Sequence, residues 1–160
     1  MYQLISYIKF LVSATNQHGV HSPFVYDFVT KCLYDKKKYE VYSKFKYYRN
    51  TLKTSKVELD ITDLGEGSKV LDSKKRKVSA MVKMSSSSKK EVELLFRISK
   101  YFNFKNVLEL GTSLGMGTYA FALGNENSKI ITVEGCKNTL SYAESQLNKS
   151  QVKNISFKSE

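Results

Sequence analysis

Apolar and polar positions follow a helical rhythm along the first hundred residues and then change to an alternation of short strands and helices. Residues 2–12 read as an amphipathic helix. After the loop NQHGVHS, Ser22 is placed to cap a second helix, and Pro23 suits its first position, where a missing N–H costs nothing. Val25, Phe28, Val29 and Cys32 follow at i, i+3, i+4 and i+7, so Cys32 is expected in the core as a small hydrophobe. A third helix is expected over about residues 36–53, burying Val41, Phe45, Tyr48 and Leu52 and decorated by Lys37, Lys38, Lys44, Lys46 and Arg49. VELDI, residues 57–61, alternates as a short strand does, and DLGEGSKVLDSKKRK, residues 63–77, is turn-rich and basic, a loop. Ser88 with Glu91 three residues on matches a capping box, and Val92, Leu95, Ile98 and Phe102 supply the core face of the helix it opens.

From there the elements shorten. NVLEL (106–110) is expected as a buried strand, followed by a glycine turn and a helix to about Leu123, with Gly124 as its stop. KIITVE (129–134) reads as a second strand, and NTLSYAESQLNK (138–149) as a helix with Leu140, Ala143 and Leu147 inward. NISFK (154–158) reads as a third strand. Strand and helix alternating at this spacing imply an α/β fold with a parallel sheet built from βαβ units.

The chemistry gathers where the first of these strands ends. Glu109-x-Gly111-x-x-x-Gly115 closes the strand, and an acid, Glu134, closes the next one 25 residues later. Glycine at 111 lets backbone approach a ligand with no Cβ in the way. The N–H groups at the start of the following helix favour a carboxylate or phosphate. An acid ending the second strand can accept both hydroxyl hydrogens of a ribose. Together these parts describe a site for a nucleoside-containing cofactor. The dinucleotide fingerprint fails, because from Gly111 its second and third glycines fall on Ser113 and Met116; the P-loop fails for want of Gly-Lys-Ser/Thr.

ELGTSLGMGTYAFA resembles the first motif of class I S-adenosylmethionine-dependent methyltransferases. It is most similar to the catechol-type O-methyltransferase branch, whose turn commonly reads Glu-x-Gly-Thr followed by Gly-x-x-Thr. ITVEG resembles that family's second motif. The resemblance implies a Rossmann-like parallel sheet, of which this chain holds the first three strands, preceded by a helical extension. It divides the chain into an extension at 1–56, a strand and loop linker at 57–87, and a partial cofactor-binding domain at 88–160. It implies S-adenosylmethionine as cofactor, with Glu109 and the Gly111 backbone holding the methionine end. Thr112 and Ser113 would line the turn that Gly115 closes, Glu134 would hold the ribose, and Gly135 and Cys136 would sit beside the adenosine. Ser113 stands where the wider superfamily often has glycine. HGVHSPFVYDF is similar to bacterial methyltransferase-like proteins that place a helical segment before the cofactor domain.

In complete members the fourth strand lies beside the first, and its loop commonly carries catalytic or metal-binding residues. This chain reaches Glu160 just after the third strand, so the catalytic residues are expected further along and the chain is expected to be a fragment or shortened version of a longer enzyme. Strand 106–110 would then present an open parallel edge, to be covered by VELDI, by an N-terminal helix or by a second copy of the chain in a homo-oligomer. DITDLGEGS (60–68) imitates the acid–glycine motif but no helix or acid-ended strand follows it, so residues 63–68 are expected as a loop on the substrate side.

Composition adjusts this picture at its margins. The net charge of +11 is unevenly held: residues 1–100 carry 20 Lys/Arg against 10 Asp/Glu, and residues 101–160 carry 6 against 5. A basic N-terminal part keeps RNA alive as an acceptor beside the small-molecule hydroxyl that the branch resemblance implies. A non-catalytic interaction module on the same fold is the remaining alternative. The apolar opening, MYQLISYIKFLVSA, is too short to span a bilayer and lacks the basic start and cleavage site of a signal peptide, so no membrane partner is expected. Two cysteines, Cys32 and Cys136, argue against a disulfide framework and suit the cytoplasm. His18 and His21 lack a third ligand, so no metal is expected, and Cys136 lacks the neighbouring histidine a nucleophile needs.

Overall fold

Ser22 caps the second helix as the pattern requires, its Oγ accepting from the Val25 N–H at 3.4 Å, with Pro23 in the first turn. The computed structural model describes residues 2–14, 19–62, 75–84 and 86–159. They fall into two compact units, Met1–Lys36 and Lys37–Glu160. The first unit holds α1 (Tyr2–Ser13) and α2 (Pro23–Phe28), and α2 runs on into a π-helical turn, Val29–Leu33. Bonding from i to i+5 adds a residue to the turn and rotates position i+7 away from position i. The expected four-residue stripe is broken accordingly: Cys32 is buried, while Val25 is 39% exposed.

The second unit begins with α3 (Val41–Thr54), which buries Phe45, Tyr48 and Leu52 and leaves Val41 half-buried. This helix is no part of a separate extension. Phe45 meets Tyr119 edge-on at 5.6 Å and Phe96 at 5.9 Å, and the Tyr48 hydroxyl donates to the Leu114 carbonyl at 2.9 Å. Those contacts move the boundary from residue 56 to Lys36.

VELDI forms β1 (Glu58–Asp60), which pairs antiparallel with β2 (Lys75–Lys77) and so covers no edge of the parallel sheet. Lys75–Lys77, expected as loop, is therefore strand; the rest of that loop, 63–74, lies outside the described residues. β2 leads directly into α4 (Val78–Met84), which buries Val78, Met81 and Val82. α5 (Lys89–Phe102) opens on the expected capping box: the Ser88 N–H donates to Glu91 at 2.6 Å and the Glu91 N–H donates to Ser88 Oγ at 3.3 Å. Its most deeply buried residues are Val92, Phe96 and Ser99, with Leu95, Ile98 and Phe102 half-buried beside them.

β3 (Asn106–Leu110), β4 (Lys129–Glu134) and β5 (Ile155–Ser159) form a parallel sheet in that order, Glu109 opposite Thr132 and Thr132 opposite Phe157. The crossovers are α6 (Met116–Gly124) and α7 (Lys137–Lys149). Successive right-handed crossovers that advance in one direction put their helices on the same side of a sheet. Ile130 and Thr132 are accordingly buried, whereas Leu108 and Leu110 are 66% and 77% exposed and Ile131 is 43% exposed. The expectation that NVLEL is a buried strand is corrected: β3 is an edge strand with one covered face among the described residues.

Candidate functional site

The turn between β3 and α6 is fixed one residue at a time. Gly111 has φ +90, and a Cβ built there would meet nothing within 4 Å. The glycine is thus demanded by backbone conformation, and the space beside it is open. The N–H groups of Gly111 and Thr112 both donate to the Val133 carbonyl, at 2.8 and 3.2 Å, which ties the turn to β4. Ser113 takes the left-handed conformation at φ 48, a strained choice for a residue with a side chain, and its N–H donates to Glu134 Oε2 at 2.8 Å. Gly115, at φ +75, precedes α6; a Cβ there would lie 2.7 Å from Leu147 Cδ1 and 3.3 Å from the Tyr48 hydroxyl.

Beneath the turn runs a chain of hydroxyls ending on Glu109. Thr118 and Thr132 both donate to Glu109 Oε2, the latter at 2.7 Å. Thr132 Oγ1 also lies 2.6 Å from Thr112 Oγ1. A threonine has one hydroxyl hydrogen, and that of Thr132 is committed to Glu109, so Thr112 is the donor in the second contact. Burial pushes the Glu109 carboxyl above its ordinary value, and the hydrogen bonds from Thr118 and Thr132 pull it partly back. Gly117 makes room for this group, since a Cβ there would come within 2.6 Å of Glu109 Oε1. Glu109 therefore already has a task inside the chain, joining β3, β4 and α6.

Glu134 is arranged differently. Its Oε2 receives the Ser113 N–H and its Oε1 the Cys136 N–H, the latter at 3.1 Å. The carboxylate thereby spans the gap between the glycine turn and the start of α7, with half-buried Gly135 between. An ionised carboxylate has about four acceptor positions, so two remain for other donors. Alternation along β4 and its register with β3 put Glu134 on the same face as Thr132 and Glu109.

Cys136 is 4% exposed and serves the fold. Its Sγ accepts from the Thr62 N–H at 3.4 Å and lies 3.6 Å from the Asp60 carbonyl, which also accepts from Asn138 Nδ2 at 2.9 Å. Burial pushes the thiol up, but hydrogen bonds from Thr139, Thr62 and Asn138 outweigh it and the net shift is downward. The end of β1 is thus pinned over the start of α7, a wall that the sequence pattern did not announce.

All eight expected residues, Glu109, Gly111, Thr112, Ser113, Gly115, Glu134, Gly135 and Cys136, gather at the C-terminal ends of β3 and β4, where open α/β sheets bind ligands. Thr118, Thr132 and Tyr48 were not assigned to the turn. Thr118 was visible within Gly-x-x-Thr, and Thr132 as a hydroxyl inside an otherwise apolar strand. Among the described residues no group of three His, Cys, Asp or Glu could hold a metal ion. His21 is exposed, and His18 lies outside the described residues. No described helix is long and apolar enough to cross a membrane.

No family model matches the chain, and no curated protein does. Solved structures do. A methyltransferase of Podospora anserina, determined with SAH bound, superposes with a TM-score of 0.51 at 12% identity over 92% of this chain and 52% of its own. The O-methyltransferase TomG of Streptomyces achromogenes, involved in tomaymycin synthesis and determined with SAM, gives 0.46 at 18% identity over 91% of this chain and 52% of its own. This chain therefore spans about half the length of these structures. It shares its fold with the Podospora structure, a Rossmann-like parallel sheet, here of three strands, with helices before it.

Proposed function

We propose that the chain is the cofactor-binding portion of an S-adenosylmethionine-dependent methyltransferase. The observation that carries the reading is Glu134, a carboxylate at the C-terminal end of β4 that bridges two backbone N–H groups and has acceptor capacity left for two ribose hydroxyls. The open space beside Gly111 fits the same ligand, because a Cβ would narrow it. Glu134 would hold the ribose, the Gly111–Ser113 backbone the methionine end, and Gly135 and Cys136 the adenosine side. Glu109 would act through the turn it braces. When bound, the cofactor supplies an electrophilic methyl group on sulfur. This chain's residues bind and orient it.

The acceptor we propose is a small-molecule hydroxyl, on the strength of the Glu-x-Gly-Thr turn. The uncovered sheet face favours a second reading, a module kept for association; on that reading the edge of β3 pairs with another copy. Two buried thiols with no disulfide between them suit a reducing cytoplasm.

Isothermal titration with S-adenosylmethionine and its demethylated product tests the cofactor. Saturable binding is expected, weakened about tenfold or more in Glu134→Ala through loss of two charge-assisted hydrogen bonds. No heat at millimolar ligand, or equal affinity in Glu134→Ala, rejects the reading. Binding without turnover in any longer form of the polypeptide selects the association module.

A further inference from the structure

Tyrosines interleaved with lysines on α3 have a place that the cofactor cleft does not use. A groove of about 480 Å³ runs between α3, α6 and α7. Its floor is Tyr48 and Tyr119, each 4% exposed, with ring centroids 5.1 Å apart. The Tyr48 hydroxyl is committed to the Leu114 carbonyl. Burial pushes both phenols above their ordinary value, so they stay neutral hydroxyls. Tyr47, on the groove's rim, is the opposite case: 76% exposed, with no ring stacked on it among the described residues.

Two ammonium groups, Lys44 and Lys149, also line the groove, with the Gln146 amide. Neither lysine has a carboxylate partner among the described residues, and no acid lines the groove. α3 itself carries Lys44, Lys46, Arg49 and Lys53 and no acid, while the one acid of α7, Glu144, lies outside the lining. An exposed aromatic face beside two unopposed cations matches one ligand chemistry, a planar base attached to a phosphate.

We infer that this groove binds a nucleotide unit, base against Tyr47 and phosphate against Lys44 and Lys149, as a free nucleotide or within single-stranded RNA. Double-stranded RNA offers phosphates but no accessible base face, so it leaves Tyr47 unused. The inference does not rest on the methyltransferase reading, because the groove shares no lining residue with the proposed cofactor contacts.

Fluorescence anisotropy of a labelled short oligouridylate against the whole chain tests it. One phosphate shared by the two lysines predicts a log–log salt slope of about −0.7 on a single strand. Lys44→Ala and Lys149→Ala are each expected to make the slope shallower, and the double variant to remove it. Tyr47→Ala is expected to weaken binding about tenfold with the slope unchanged, and Tyr47→Phe to restore it. Competition by uridine monophosphate, but not by inorganic phosphate at equal concentration, identifies the free nucleotide as sufficient. Failure of both to compete, with the Tyr47→Ala loss retained, identifies the polymer. Binding indifferent to Tyr47→Ala, a slope unchanged in both lysine variants, or equal affinity for duplex RNA overturns the inference. Titration of the same variants with S-adenosylmethionine is expected to match the unsubstituted chain, which separates failure here from failure of the cofactor reading.

Discussion

The two faces of the three-stranded sheet differ as sharply as a core and a surface. On one, Glu109, Thr132 and Ile130 lie under α6 and α7, and every polar atom of the hydroxyl chain is spoken for. On the other, Leu108 and Leu110 point into solvent from the same strand that carries Glu109. Neighbouring residues of one five-residue strand thus have opposite fates. The difference teaches that the chain spent its specificity on the covered side, where the turn had to be held still. An unpaired polar group there costs far more than an uncovered leucine costs on the other side.

The largest effect is expected from Gly115→Ala. It combines a left-handed φ with a Cβ 2.7 Å from Leu147, and should cost about 2–4 kcal/mol, read as a lower urea midpoint at unchanged slope. A loss below about 0.5 kcal/mol would mean that the turn is not held against α7. Thr132→Val removes one donor from Glu109 and the acceptor of Thr112, and about 2 kcal/mol of stability should go with them.

Glu109→Gln sharpens the comparison through pH. The folded-state carboxyl is raised, chiefly by burial, so the proton it holds favours folding. That contribution is complete below the ordinary carboxylate value of about 4.3 and is lost as pH rises through the raised value. The urea midpoint of Glu109→Gln relative to the unsubstituted chain should therefore rise across that window and level off above it. A difference independent of pH would reject burial as the cause. Smallest of all, Leu108→Lys on the bare face should change stability by no more than about 0.5 kcal/mol. A loss of 2 kcal/mol would show that something covers that face in solution.

Local signals carried a large part of the molecule. The capping box at Ser88 and Glu91 needs only two side chains and their own backbone, and it stands where the pattern put it. The parallel register follows from strand and helix alternating over residues 106–159. α4 went unread because seven residues make too short a period, although Val78, Met81 and Val82 carry its i, i+3, i+4 face. β2 went unread because Lys-Arg-Lys has no strand propensity; pairing with Glu58–Asp60 decides it.

By itself the sequence determined where the chain must turn and which acids end its strands, because glycine at positive φ and a carboxylate at a strand terminus are properties of single positions. Only the tertiary structure decided that Glu109 braces the turn while Glu134 bridges the Ser113 and Cys136 N–H groups. The partners responsible, Thr118 and Thr132 for one and Ser113 and Cys136 for the other, depend on how α6, β4 and α7 close around them. Tertiary structure likewise brought Tyr48 against the Leu114 carbonyl across 66 residues of chain, a contact that no periodicity encodes.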